Sequence, residues 1–168
     1  MRSDDRFNIL GNAYHIRVSA YIFCYYYDVL SDSSQHRVLL IQRAIHDSKP
    51  KFWEGPAGGM GVEDKTLQNG LRREVREETG LHLSKIAHSL PMQKWTSVKT
   101  GEWLGFSGIA EVCESEVVRW ENDIKLNPKE HQNHVWATED EVRSGKYKFF
   151  GENRTQTLKA FSVMRKEH

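Results

Sequence analysis

Thr66-Leu67-Gln68-Asn69-Gly70-Leu71-Arg72-Arg73-Glu74-Val75-Arg76-Glu77-Glu78-Thr79-Gly80 is the stretch on which the reading of this chain turns. Helical character begins near Thr66 and stops at Gly80, a residue suited to the position after a helix. At 100° per residue Leu67, Leu71, Glu74 and Glu78 share one face, and Glu77 lies to its side. Three carboxylates therefore crowd an arc of roughly 100° on a 3.6-residue helix. Their pairing is uneven. Glu77 has Arg73 four residues before it, but Glu74 has Gly70 and Glu78 at its i±4 positions, and Glu78 has Glu74 and His82. Like charges at i,i+4 cost roughly 0.2–0.5 kcal/mol per pair, and Arg72 and Arg76 point to the opposite face.

A solvated charged face is the ordinary reading of a turn rich in Glu and Arg. Here the carboxylates continue the apolar stripe instead of opposing it, and they sit near the helix end. They also follow Gly55 to Gly61, a loop with four glycines and a proline that can bring backbone groups close to a phosphate. Hard oxygen ligands beside such a loop suit Mg²⁺ or Mn²⁺, which favour carboxylate and water and bridge to substrate phosphates.

Arg73-Glu74-Val75-Arg76-Glu77-Glu78-Thr79-Gly80-Leu81 is similar to the second half of the Nudix box, G-x5-E-x7-R-E-U-x-E-E-x-G-U, at every fixed position. Gly59 stands in register with its opening glycine. Trp53-Glu54-Gly55-Pro56-Ala57-Gly58-Gly59 resembles the W-E-x-P-G-G approach to the box, and His134 to Val142 resembles the family's W-x-[ST]-x-E-E segment. The likeness spans Ala20 to Val142. Two positions depart from the pattern: Lys65 occupies the place of the first box glutamate, and Ala57 replaces a glycine. That glutamate braces the box arginine, whereas Lys65 and Arg73 would repel. Asp64 or Glu63 is expected to substitute. Counted from Gly58, Asp64 is the sixth residue, which implies a loop one residue longer than the pattern.

The resemblance implies an α/β fold, a Nudix-like α/β/α sandwich with a mixed β-sheet, and a hydrolase of phosphoric anhydride bonds. It implies that Glu74, Glu77 and Glu78 coordinate Mg²⁺ or Mn²⁺, with a loop carbonyl near Gly58 or Gly59 completing the shell. Glu77 and Glu78 are thereby also catalytic, and Glu130, in Pro128-Lys129-Glu130-His131, is the candidate general base. Mutual repulsion is expected to raise the carboxylates' proton affinity when metal is absent and to favour neutral to alkaline pH. Arg43, after the strand Val38–Gln42, is the candidate phosphate contact because its guanidinium fork suits phosphate oxygens. The substrate implied is a small nucleotide derivative, a nucleoside diphosphate linked to another moiety. Dimers are common in the family, but nothing in this sequence marks an interface.

The rest of the chain fits this frame. Its 168 residues suit one domain, 1–168, with residues 1–10 read as a flexible lead-in and 152–166 as a closing helix. Lys plus Arg total 24 against 23 Asp plus Glu, a net charge of +1 that argues against bulk nucleic-acid binding. Two cysteines, Cys24 and Cys113, fall in apolar strand-like runs and are read as core, which favours a reducing compartment, and no leader or membrane span is evident. A cytoplasmic protein is expected. Strands are read at Tyr14 to Val29, Arg37–Arg43, Leu83–Val98, Glu102–Val112 and His134–Ala137, with Ser31-Asp32-Ser33-Ser34 as a hairpin loop and Thr138 capping an acidic turn. His131-x-x-His134 lacks a third ligand at fixed spacing, so it is not read as a metal pair.

Two other functions are weighed. A nucleotide-binding module that has lost turnover is favoured by Lys65 and opposed by the intact glutamate trio. A prenyl diphosphate isomerase on a related fold would need a cysteine and a glutamate facing the substrate.

Overall fold

A computed structural model describes residues 5–30 and 33–167. In chain order the elements are β1 (Phe7–Ile9), β2 (Asn12–Asp28), β3 (Ser33–Arg43), β4 (Trp53–Glu54), β5 (Ala57–Gly59), α1 (Leu67–Thr79), β6 (Leu83–Ser89), β7 (Gln93–Ser97), β8 (Gly101–Val112), β9 (His131–Ala137), α2 (Glu139–Arg143) and α3 (Asn153–Lys166). The sheet runs β4-β3-β2-β8-β6, with β1 and β5 also on β2, β7 on β8 and β9 on β3. β2 and β8 run parallel while the other pairs are antiparallel, so the sheet is mixed.

β2 and β3 read as nearly continuous apolar runs because both faces of the sheet are covered. Val18, Ala20, Ile22, Leu39 and Ile41 pack with Leu71 and Val75 of α1 on one face. Tyr21, Val38 and Leu40 pack with Val142 of α2 and Ala160 and Phe161 of α3 on the other. Successive side chains of one strand thus feed two cores, which makes the α/β/α sandwich. Burying an aliphatic side chain such as Leu71 or Val75 contributes about 1.5–3 kcal/mol, and these two fix the roll of α1 on the sheet.

Several expectations need adjustment. Phe7–Ile9 pairs with Asn12 to Tyr14, so part of the expected lead-in is strand, tied down by ladder hydrogen bonds; residues 1–4 lie outside the described residues. Leu83–Val98 divides into β6 and β7 around Pro91, which has no N–H to give a ladder. The glycine loop is partly regular, since Ala57–Gly59 pairs with Arg17 to Ser19. Of the hairpin loop, Ser31 and Asp32 are outside the described residues, while Ser33 and Ser34 extend β3 opposite Asp28 and Tyr27. Cys24 is core, but Cys113 is exposed, because the chain leaves β8 in a short 3-10 turn at that point. Among the described residues no helix is long and apolar enough to cross a membrane.

Candidate active site

The ends of α1 are fixed locally. The Thr66 hydroxyl accepts from the Asn69 N–H at 3.1 Å, and Gly80 takes the left-handed φ of 74° that closes the last turn. The stripe that buries Leu71 and Val75 carries on into Glu74 and Glu78, only 8% and 3% exposed, whereas the Glu77 side chain is 52% exposed. The Glu78 Oε2 accepts the Ala57 N–H at 2.8 Å. Gly58 lies so close to Glu74 that a Cβ there would stand 2.1 Å from its carboxyl carbon. Glycine is needed at this point so that the loop backbone can meet the carboxylate.

Asp64 supplies the brace. Arg73 donates from Nε and Nη2 to the two Asp64 oxygens at 2.9 and 2.7 Å, and to the Gly59 carbonyl at 3.1 Å. It also donates to Glu74 at 2.6 Å and Glu77 at 3.3 Å. Lys65 is exposed at φ 59°, folded out as the additional residue of the loop. The bidentate pair with Asp64 raises the proton affinity of Arg73 further above its usual range, so the guanidinium is permanently charged.

One pocket gathers the candidate catalytic, metal and substrate residues Arg43, Gly58, Gly59, Glu74, Glu77, Glu78 and Glu130. It also contains residues for which the sequence reading assigned no role. Arg17, set opposite Gly59 by the β2–β5 register, donates to the buried Glu54 at 2.9 Å, and Arg43 reaches the other Glu54 oxygen at 3.0 Å. Asp47 lies 3.5 Å from Arg43. Trp103 lines the pocket wall, stacked between His15 and Trp95 at centroid distances of 4.7 and 5.8 Å. His131 is 3% exposed and neither ring nitrogen has a hydrogen-bond partner. Leaving a buried polar group unsatisfied costs about 1–3 kcal/mol, so this ring is held in place at a cost to stability.

The two buried helix carboxylates resist ionisation. Burial pushes Glu78 well above the ordinary carboxylate range, the Glu54 and Glu74 charges add to it, and the Ala57 N–H works against it. Burial also raises Glu74, opposed by Arg73 and reinforced by Glu77 and Glu130. For Glu74 and Glu78 burial is the larger cause and repulsion between carboxylates the smaller. Burial likewise opposes ionisation of Glu54, but Arg17, His131 and Arg43 outweigh it and hold that carboxyl below its usual range. Buried carboxylates in excess of their counter-charges, a loop backbone pressed against them and an orphaned imidazole form a donor set that fits a divalent cation. Ligand atoms of Glu78, Glu130 and His131 lie within 4.8 Å of one another. Arg17 and Arg43 opposite them suit phosphate oxygens.

A pocket lined by carboxylates, arginines and a glycine strand thus lies on a mixed sheet between helices. The NUDIX domain family model matches residues 27–160, and the chain belongs to that family. The isopentenyl-diphosphate Delta-isomerase of Mycolicibacterium vanbaalenii is 27% identical over 133 residues, which are 77% of this chain and 65% of that protein. The human m7GpppN-mRNA hydrolase NUDT17 is 41% identical over 71 residues, 41% of this chain and 21% of that protein. The chain thus spans less than two thirds of the length of either relative. A NUDIX hydrolase structure from Nitrosomonas europaea superposes with a TM-score of 0.65 at 20% identity, covering 90% of each chain, and carries the fold.

Proposed function

We propose that this chain is a divalent-metal-dependent pyrophosphohydrolase that cleaves a nucleoside diphosphate linked to another moiety: a nucleotide sugar, an ADP-ribose-like compound, a dinucleotide or a nucleoside triphosphate. The observation that carries it is the pairing of buried Glu74 and Glu78 with the Ala57–Gly59 backbone, across the pocket from Arg17 and Arg43. Glu74, Glu77 and Glu78 would hold Mg²⁺ or Mn²⁺, with a loop carbonyl near Gly58 or Gly59 as the further donor. Bound there, the cation neutralises diphosphate charge and makes water a better nucleophile. Arg17 and Arg43 clamp the phosphates, and Glu54, ionised between them, keeps both guanidinium groups aimed into the pocket. Glu130, half-buried at the pocket wall, takes the proton as water attacks one phosphorus. The bridging P–O bond breaks and the second phosphate leaves.

An inactive binding module rested on the loss of the box brace at Lys65, and Asp64 supplies that brace. Prenyl diphosphate isomerisation finds no suitable thiol. Cys24 sits in the core, its thiol pushed up to about 12 by burial, Cys113 is exposed beyond β8, and neither lines the pocket. The two free cysteines suit a reducing compartment, and the cytoplasm is the proposed location.

The test is release of nucleoside monophosphate or phosphate from a panel of nucleoside diphosphate derivatives and triphosphates, with Mg²⁺ and with Mn²⁺. Metal-dependent product from the wild type, lost in Glu78→Gln, supports the proposal. No product from any compound, with ligand-induced thermal shifts still seen, would transfer the reading to a binding module.

A further inference from the structure

We infer that His131 is a nitrogen ligand to a divalent cation, and that with Glu78 and one oxygen of Glu130, whose other oxygen stays open to take a proton, it forms a second seat in the pocket that prefers Mn²⁺ and later first-row cations to Mg²⁺. This rests on the divalent-metal reading of the site and goes beyond it by naming a donor outside the box helix and a metal preference.

The backbone aims His131 inward. β9 pairs with β3 in regular register from Ala137 opposite Val38 to Asn133 opposite Gln42, and then shifts. Regular pairing would set Gln132 across from Arg43. The shift sets His131 there instead, with Gln132 as the extra residue of a β-bulge. Directly opposed residues share a face of the sheet, so His131 projects beside Arg43 into the pocket. The turn before it is held to the end of α1: the His131 N–H and the Glu130 N–H both donate to the Asn127 carbonyl, at 2.9 and 3.1 Å, and the Lys125 N–H donates to Thr79 at 2.8 Å. The backbone of Glu130 and His131 is thereby tied to the end of α1 that carries Glu78.

The ring makes no hydrogen bond that a cation would have to break, and its ion-pair contacts with Glu54 and Glu78 are long. Its Nε2 is 3.6 Å from Glu54 and 3.9 Å from Glu78 Oε1, both beyond a hydrogen bond, and Nδ1 has no partner. Glu54 is already satisfied by Arg17 and Arg43. Glu78 divides its oxygens: Oε2 takes the Ala57 N–H, which leaves Oε1 on the His131 side. Ligand atoms of Glu78, Glu130 and His131 lie within 4.8 Å of one another, so a small side-chain adjustment brings all three onto a single ion. The chemistry of the set then gives the preference. Mg²⁺ demands oxygen ligands and keeps its water, imidazole suits the later first-row cations, and Mn²⁺, an oxygen-preferring member of that row, dehydrates and takes a nitrogen donor more readily than Mg²⁺ does.

The experiment is a titration of the metal-free protein with Mn²⁺ and with Mg²⁺, followed by calorimetry. Pulsed electron paramagnetic resonance on the Mn²⁺ complex reads directly bonded nitrogen. Expected are ¹⁴N modulation in the wild type and Mn²⁺ binding at least tenfold tighter than Mg²⁺. In His131→Asn both the modulation and the affinity gap should disappear, and in His134→Asn both should stay. Labelling the wild type with ¹⁵N-histidine should replace the ¹⁴N lines, which keeps the test decisive if His131→Asn melts early. A wild-type Mn²⁺ complex without ¹⁴N modulation, or modulation that survives His131→Asn, would overturn the inference. Metal-dependent diphosphate cleavage measured on the same samples would then leave the hydrolase reading standing. Nitrogen coupling with no cleavage of any diphosphate would do the reverse, upholding the ligand and overturning the hydrolase.

Discussion

α1 and α3 cover opposite faces of one sheet, and they bury different things. Beneath α1 the apolar stripe of Leu71 and Val75 runs on into Glu74 and Glu78, two carboxylates largely removed from water. Beneath α3 the buried side chains are Ala160, Phe161, Gln156 and Thr157. All of these are uncharged: Phe161 meets Phe23 edge-on at 5.0 Å, and the Thr157 hydroxyl donates to the Asn153 carbonyl at 2.7 Å. Buried charge without full pairing costs stability, and burying rings supplies it. The α1 face therefore gives up stability to hold a site, while the α3 face holds the fold. Substitutions on the two helices should separate along that line.

The largest effect belongs to Glu78→Gln. Altering groups that merely orient a metal ligand costs roughly 10–100-fold, so loss of a ligand should lower turnover by about two orders of magnitude or more. The amide oxygen still accepts the Ala57 N–H, and a charge resisted by burial, Glu54 and Glu74 is gone. The melting temperature of the metal-free variant should therefore equal or exceed that of the wild type. A marked fall in melting temperature would break the comparison, because Glu78 would then be holding the fold.

Phe161→Ala is the mirror experiment. Truncating a buried phenylalanine costs about 3–5 kcal/mol, which denaturant unfolding would read directly. Turnover per folded molecule should be unchanged, since Phe161 lies in the core on the far face of the sheet from α1. A specific loss of turnover at full folding would show that the two faces are coupled.

Asp64→Ala sharpens the boundary between them. It removes two hydrogen bonds from Arg73 but leaves Glu74, Glu77 and the Gly59 carbonyl. Breaking a charged pair in which the arginine keeps other partners should cost about 2 kcal/mol, less than for a fully buried pair. Turnover should fall as well, because Arg73 is the link between the glycine strand and the helix carboxylates. Lys65→Glu should recover neither loss in the Asp64→Ala background, since residue 65 is turned out at φ 59°.

These outcomes bear on what the sequence made legible. The ends of α1 and the grouping of Glu74, Glu77 and Glu78 follow from local spacing, while the brace comes from the resemblance to the Nudix box, which leaves Asp64 and Glu63 open until the pairing of Asp64 with Arg73 decides between them. Arg17, Glu54 and His131 were not legible as site residues for the opposite reason. Arg17 reaches the pocket through its register with Gly59, and His131 through a bulge opposite Arg43. Pairing between distant strands decides both, and no local periodicity records it. The exposed Cys113 was misread in the same way, because an apolar run does not mark where the chain leaves the sheet.

The smallest effect lies in α2, on the α3 side of the sheet. The Thr138 hydroxyl accepts the Glu141 N–H at 3.2 Å while Glu141 Oε2 accepts the Thr138 N–H at 3.0 Å, a reciprocal cap that seats Val142 in the core. Thr138→Ala should cost about 1 kcal/mol at neutral pH with turnover intact. Glu141→Gln adds a pH signature. Burial pushes the Glu141 carboxyl upward, but Lys146 and the Thr138 N–H, with Tyr147, overcome it and hold the group below its ordinary 4.5. A carboxyl whose folded value is depressed contributes stability above the ordinary value and loses it as pH falls through the folded one. The stability gap between wild type and Glu141→Gln should accordingly be constant from neutral pH down to about 5 and narrow below that. A gap that stayed constant in acid would mean that the hydrogen bonds of the cap, and not the carboxylate charge, supply the whole contribution of this position.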